Sequence, residues 1–261
     1  MRPPGSRWRQ TFELVRPREH GSWSLALEPL VLGLVAAPSA AGCGVAAAVL
    51  AGLFMRRPLK LLLGGGDDSR RSLAWAGAAV LGSVALLGVV FAATLAGVGR
   101  LWPMLLAVPP GLAFARHDSR GASRDAIAEL AGVMAFAVIP AVLGSLAGWP
   151  PRAALALAMA MACRSFPTVL AIRAYLRRNK GDSVPAWPAL AASTMAVLVV
   201  LLLSGWSLAP WMAVLAMTLL LVRAWFLLVP LSRRWPATTV GIAEAILCAT
   251  VILMMALSWR R

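Results

Sequence analysis

Long apolar runs separated by short basic loops constrain this fold more than any motif does. We place nine such runs, at residues 22–37, 40–55, 73–98, 101–115, 126–147, 152–172, 188–208, 209–229 and 238–258. A helix needs about 20 apolar residues to cross a bilayer, and the first, second and fourth runs are shorter than that. The fourth run also contains Pro109 and Pro110, which predict a break or kink.

Composition supports a membrane protein. Charged residues make up 13% of the 261 residues and hydrophobic residues 60%, whereas a soluble domain is about a quarter charged. The runs do not alternate as β-barrel strands do. We therefore predict an all-α, polytopic membrane protein of about nine transmembrane helices, formed by a single domain over residues 1–261. Within it, we expect residues 1–21 to be a basic cytoplasmic N-terminal segment.

The basic residues predict the orientation. With nine spans, 19 of the 25 Lys and Arg residues fall on the side of the N-terminus and four on the other side, while Arg164 and Arg223 lie inside spans. Lys and Arg accumulate in cytoplasmic loops, so the N-terminus is predicted to be cytoplasmic in a bacterial inner membrane. The basic residues of these loops also account for the net charge of +15. We therefore expect membrane lipid rather than nucleic acid as the partner.

Three acids fall inside predicted spans: Glu28, Glu129 and Glu244. A charge at the centre of a span costs at least about 2.5–3.5 kcal/mol and is rarely without a role. Two interpretations remain open. The acids form buried ion pairs, for example Glu244 with Arg223, or they line a polar cavity that opens to the cytoplasm.

The first run shows a polar pattern at four-residue spacing. Arg16, His20, Ser24 and Glu28 would share one helix face if the helix begins early enough to include Arg16. We predict that this face points to a cavity and that the "RPREHGSW" segment, including Arg18 and Glu19, forms its cytoplasmic gate. Alternatively, Glu28 has a structural role, in which it is protonated and forms a hydrogen bond with a neighbouring helix.

Several stretches resemble known families. "REHGSW", "RRPLK" and "RSFPTVLAIRAYLRR" resemble the YwiC-like family of bacterial membrane proteins. More distantly, "RPREHGSWSLALEPLVLG" is similar to the first helix of UbiA-type intramembrane prenyltransferases. That resemblance implies a UbiA-like bundle of nine helices that binds an isoprenyl diphosphate through Mg²⁺ and Asp-rich motifs after spans 2 and 6.

The sequence departs from those Asp-rich motifs. In "FMRRPLKLLLGGGDDSRR", Arg56, Arg57 and Lys60 stand about where the acids would be. In "RRNKGD" only Asp182 remains, and we predict that it serves local ion pairing more than metal binding. Magnesium-dependent prenyl transfer is therefore in doubt, and an enzyme activity stays an open question.

A basic cavity mouth could replace the metal, because arginine binds phosphate or carboxylate directly. The residues that would surround such a mouth are Arg56, Arg57, Lys60, Arg116, Arg173 and Arg177. The expected ligand is an anionic amphiphile, either an isoprenyl diphosphate or a quinone-type lipid. Alternatively, these residues only anchor the helices against anionic lipid. Two further alternatives remain for the whole protein. One is a transporter of a small anion or lipid-linked solute, and the other is a respiratory-complex assembly factor.

The remaining reactive residues are few. His20 and His117 are the two histidines, and each has an acid beside it, Glu19 and Asp118 respectively. They suit acid–base chemistry or, less well, a haem or metal ligand role. The three cysteines show no spacing typical of a metal site or a disulfide framework, so no metal site is predicted.

Overall fold

The computed structural model describes residues 20–63, 68–121, 125–229 and 235–260, and within them every regular element is helical. The α-helices are α1 (His20–Ala36), α2 (Ala40–Leu63), α3 (Asp68–Ala96), α4 (Met104–Ser119), α5 (Ala126–Ala137), α6 (Ile139–Leu146), α7 (Pro151–Asn179), α8 (Trp187–Gly205), α9 (Trp211–Leu228) and α10 (Ala237–Trp259). A 3₁₀ turn, Val98–Leu101, precedes α4. The predicted all-α class is confirmed for this part of the chain.

Six segments are long and apolar enough to cross a membrane. They are Arg71–Ala96, Ala126–Leu146, Pro151–Asn179, Trp187–Gly205, Trp211–Leu228 and Thr238–Trp259. All nine predicted apolar runs are helical, but α1 and α4 have only 17 and 16 residues. At 1.5 Å per residue such helices fall short of the roughly 30 Å hydrocarbon layer. Nine membrane spans are therefore not confirmed, whereas a helical membrane protein is.

Proline has different effects in two of the runs. Helix α4 continues through Pro109 and Pro110, so the break predicted there is absent. The fifth run breaks instead, because α5 ends at Ala137 and α6 begins at Ile139. Pro140 explains this break, since proline lacks an N–H group and suits the first turn of a helix.

The helices form a bundle in which the last helix packs against the first. Helices α2 and α3 pair, as do α4 and α5, while α7, α8 and α9 pack in sequence. Helix α10 then returns to α1, and α1 also packs against α6 and α7. The largest apolar cluster joins α7, α8, α9 and α10 through residues such as Leu157, Val200, Met217 and Met255. This arrangement brings the middle of α1 close to the charged residues of α7, α9 and α10.

Candidate functional site

The middle of the bundle contains an ion pair between its first and seventh helices. Glu28 of α1 contacts Arg164 of α7 through Oε2 and Nη1. The Arg164 side chain is only 4% exposed. This contact is possible because α1 packs directly against α7.

A second ion pair lies beside the first. The Nη2 atom of Arg223, on α9, lies 2.8 Å from Oε2 of Glu244 on α10. The same Nη2 donates to the hydroxyl of Thr168 at 3.3 Å. The sequence suggested this Arg223–Glu244 pair as an example of buried ion pairing, and it is confirmed.

The two pairs are electrostatically coupled. Glu28 interacts with Glu244 as well as with Arg164, and Arg223 interacts with Arg164. The thiol of Cys248 lies within electrostatic range of all four charges. We call these four residues, Glu28, Arg164, Arg223 and Glu244, the intramembrane centre.

A small polar cavity adjoins the intramembrane centre. It has a volume of about 10 Å³ and lies between α7, α8 and α9, which is room for about one water molecule. Its polar lining consists of Cys163, Arg164, Thr168, Ser193 and Arg223.

The hydroxyl groups in this lining already have partners. Thr168 donates to the backbone oxygen of Arg164 at 2.7 Å, and Ser193 donates to that of Ala189 at 2.8 Å. By contrast, three guanidinium nitrogens, Nε and Nη2 of Arg164 and Nε of Arg223, have no hydrogen-bond partner among the described residues. The unused hydrogen-bonding capacity of these arginines therefore consists of cationic donors.

At least four of the six basic residues predicted at the cavity mouth form ion pairs with acids. Asp118 at the end of α4 binds two basic residues of α2, Arg56 at 2.8 Å and Lys60 at 2.6 Å. Arg56 also lies over the ring of Phe114, 5.1 Å from its centroid. Partial burial alone would raise the pKa of Asp118, but hydrogen bonds and charge from Arg56 and Lys60 outweigh it and lower that pKa.

Two more of the predicted mouth residues are also ion-paired. Arg173 lies 2.5 Å from Glu129, and Arg177 Nε donates to Asp182 at 2.9 Å. The second contact confirms the local ion pairing predicted for Asp182. The geometry does not gather Arg56, Arg173 and Arg177 around one vacant anion site, because each has a carboxylate partner.

The remaining predicted residues are distributed as follows. Arg57 lies on α2, and Arg116 lies on α4, where it is exposed. The His117 ring contacts the backbone oxygen of Ala113, in the same helix, at 2.9 Å. Arg16, Arg18 and Glu19 lie outside the described residues, as do the side chains of His20 and Ser24, although α1 begins at His20. The predicted polar face of α1 is therefore described only at Glu28.

The described residues do not fit a magnesium site. The carboxylate of Asp118 is bound by two cations and that of Asp182 by Arg177. No group of three or more His, Cys, Asp or Glu residues in the described ranges could hold a metal ion. A diphosphate-binding Mg²⁺ cluster needs several free oxygen ligands, so we derive no prenyl-transfer step.

Sequence comparison finds a family that resembles the first part of the chain. Residues 16–142 match the family described as YwiC-like protein. This part of the chain is similar to that family. The match includes "REHGSW" and "RRPLK" and ends within α6, so "RSFPTVLAIRAYLRR" lies beyond it. Neither a curated protein nor a solved structure matches the chain.

The YwiC-like segment supplies only one member of the intramembrane centre. Glu28 lies within it, whereas Arg164, Arg223 and Glu244 follow it. Sequence reasoning placed all four residues inside apolar runs and left open whether the acids form buried ion pairs or line a cavity, but it did not join Glu28 to Arg164. Their position inside apolar runs was the signal that they belong to the intramembrane centre.

Proposed function

We propose that this protein is a transporter of a small oxyanion, which binds at the intramembrane centre. The observation that carries the proposal is Arg164, a nearly fully buried guanidinium with two nitrogens that have no partner among the described residues. A buried polar group without a partner is costly, and an anion would supply the missing acceptors. Carboxylates and phosphates suit this role because their oxygens match the guanidinium fork.

The location of the centre favours transport over surface binding. Ionisable residues inside transmembrane helices commonly mark ion or substrate pathways. A cavity of about 10 Å³ has room for about one water molecule, so in this proposal the anion enters when α7, α8 and α9 separate. In this proposal the nine helical runs all cross a bacterial inner membrane, with the N-terminus in the cytoplasm.

A second candidate is the binding of an anionic amphiphile, an isoprenyl diphosphate or a quinone-type lipid, in a UbiA-like bundle. The observation that favours it is the positive excess where α2 and α4 end. Four basic residues lie in the last turns of these helices, Arg56, Arg57, Lys60 and Arg116, and Asp118 pairs with two of them, Arg56 and Lys60. The amphiphile's charged group would bind at that end, with its tail between helices.

Ligand-dependent thermal unfolding of the purified protein separates these candidates. We would add acetate, nitrate, phosphate or geranylgeranyl diphosphate at constant ionic strength. A ligand at a concentration of 100 times its Kd stabilises the folded state by about 2.7 kcal/mol. We expect at least one of the three small anions to raise the melting temperature.

Two matched double variants locate the site. Glu28→Gln/Arg164→Gln removes one buried ion pair without leaving a lone charge and should abolish the anion effect. Arg177→Gln/Asp182→Asn removes an exposed pair and should retain it. An anion effect that survives in the first variant would overturn the assignment to Arg164. Stabilisation by geranylgeranyl diphosphate alone would favour the second candidate, and no effect of any ligand would reject both.

A further inference from the structure

With both carboxylates ionised, the formal charges of the intramembrane centre sum to zero. Two guanidinium groups face two carboxylates, and each carboxylate has its own arginine partner. All four side chains belong to helices in the middle of the bundle, where an uncompensated charge is unfavourable. The centre is therefore electrically balanced when no ligand is bound.

An anion would upset this balance. An oxyanion that binds to the unpartnered nitrogens of Arg164 adds one negative charge to a neutral group of four. It also shares a guanidinium with Glu28, because Nη1 already contacts that carboxylate. Two anions on one buried cation repel each other strongly at low dielectric.

One proton restores neutrality, and Glu28 is the carboxylate best placed to accept it. Glu28 loses part of its stabilisation when Arg164 binds a second anion. Glu244 keeps its own partner, Arg223 Nη2, at 2.8 Å. The proton therefore binds to Glu28, with an O–H bond replacing part of the ion pair.

The groups around Glu28 are consistent with this assignment. Arg164 of α7 contacts Glu28, and Glu244 and Cys248 of α10 lie within electrostatic range of Glu28. Helix α6 carries no titratable residue. The charged residues of α2 and α5 that have described ion pairs, Arg56, Lys60 and Glu129, bind Asp118 or Arg173.

We propose that the protein binds anion and proton together: each oxyanion that binds to Arg164 is accompanied by one proton, which protonates Glu28. This inference rests on the proposed anion site. It makes the protein a proton-coupled anion transporter, whose loaded and empty centres carry the same net charge. A neutral loaded centre crosses the low-dielectric interior more readily than a charged one.

Proton uptake during anion binding tests the proposal on the wild-type protein. Acetate or nitrate is added to detergent-solubilised protein in weakly buffered solution with a pH indicator dye, since neither anion changes its charge near neutral pH. We expect about one proton bound per anion. The apparent affinity should fall about tenfold for each pH unit over the range in which Glu28 is ionised in the empty protein.

The Glu28→Gln variant should bind the anion without proton uptake and with an affinity independent of pH. Asp182→Asn, which alters an exposed acid, is the matched control and should keep the wild-type stoichiometry. Anion binding without proton uptake in the wild type would overturn this inference and leave the anion site intact. Uptake that persists in Glu28→Gln and disappears in Glu244→Gln would overturn the assignment to Glu28. If Glu28→Gln does not fold, the wild-type stoichiometry decides alone.

Discussion

Breaking the Arg223–Glu244 pair should destabilise the protein far more than breaking an exposed pair. The two side chains are 11% and 14% exposed and approach to 2.8 Å. Removal of one partner of a buried ion pair leaves the other charge uncompensated and typically costs about 3–5 kcal/mol. We therefore expect Arg223→Met to lower the free energy of unfolding by about that amount, measured by denaturation in mixed micelles.

The double variant and an exposed pair supply the controls. Arg223→Met/Glu244→Leu removes both charges, and a hydrophobic replacement of a buried pair is often neutral or stabilising. We expect this double variant to recover most of the free energy of unfolding that Arg223→Met loses. Arg177→Ala breaks a pair whose side chains are 59% and 48% exposed, where the cost is about 0–1 kcal/mol. A cost below about 1 kcal/mol for Arg223→Met would refute the claim that Glu244 is desolvated.

Three further predictions concern other parts of the molecule. Ion pairing lowers the pKa of Asp118 below its ordinary value of 3.8. The contribution of this carboxylate to stability is therefore present above pH 3.8 and is lost as the pH falls through the lowered pKa. Asp118→Asn should make the free energy of unfolding less dependent on pH in that acid range. A Cβ at Gly88 would collide with the backbone oxygen of Gly44 where α2 meets α3, whereas a Cβ at Gly52 would meet nothing within 4 Å. Gly88→Ala should therefore lower the melting temperature, and Gly52→Ala should not. Reporter fusions should show a cytoplasmic N-terminus and an external C-terminus, and a cytoplasmic signal after the last helix would contradict nine spans.

The helical architecture was predictable because apolarity is a local property of the sequence. Each of the nine apolar runs forms helix, and the three runs judged too short are the ones outside the six clear membrane candidates. The positions of breaks were harder to predict. Pro109 and Pro110 sit within a continuous helix, whereas the chain breaks at Val138 before Pro140. Neighbouring helices can compensate for a missing N–H group, so a proline alone does not decide the outcome.

The partners of the charged residues were harder to predict than the helices. Arg223 and Glu244 could be paired by depth, because they lie near the same end of consecutive helices. Glu28 and Arg164 are separated by most of the fold, and only the packing of α1 against α7 brings them together. The basic residues near the predicted mouth were counted as available for a ligand. Arg56, Lys60 and Arg177 instead bind acids.

The pairing of Glu28 with Arg164 has a consequence for how the two halves of the chain cooperate. Glu28 belongs to the YwiC-like segment, and its partner lies 22 residues beyond the end of that segment at residue 142. A fragment that contains only the matched residues would leave Glu28 without its cation. Protonation would then be the least costly state of that carboxylate. In the bundle α7 supplies Arg164 as the partner of Glu28, so the proposed coupling between anion and proton is a property of the whole bundle.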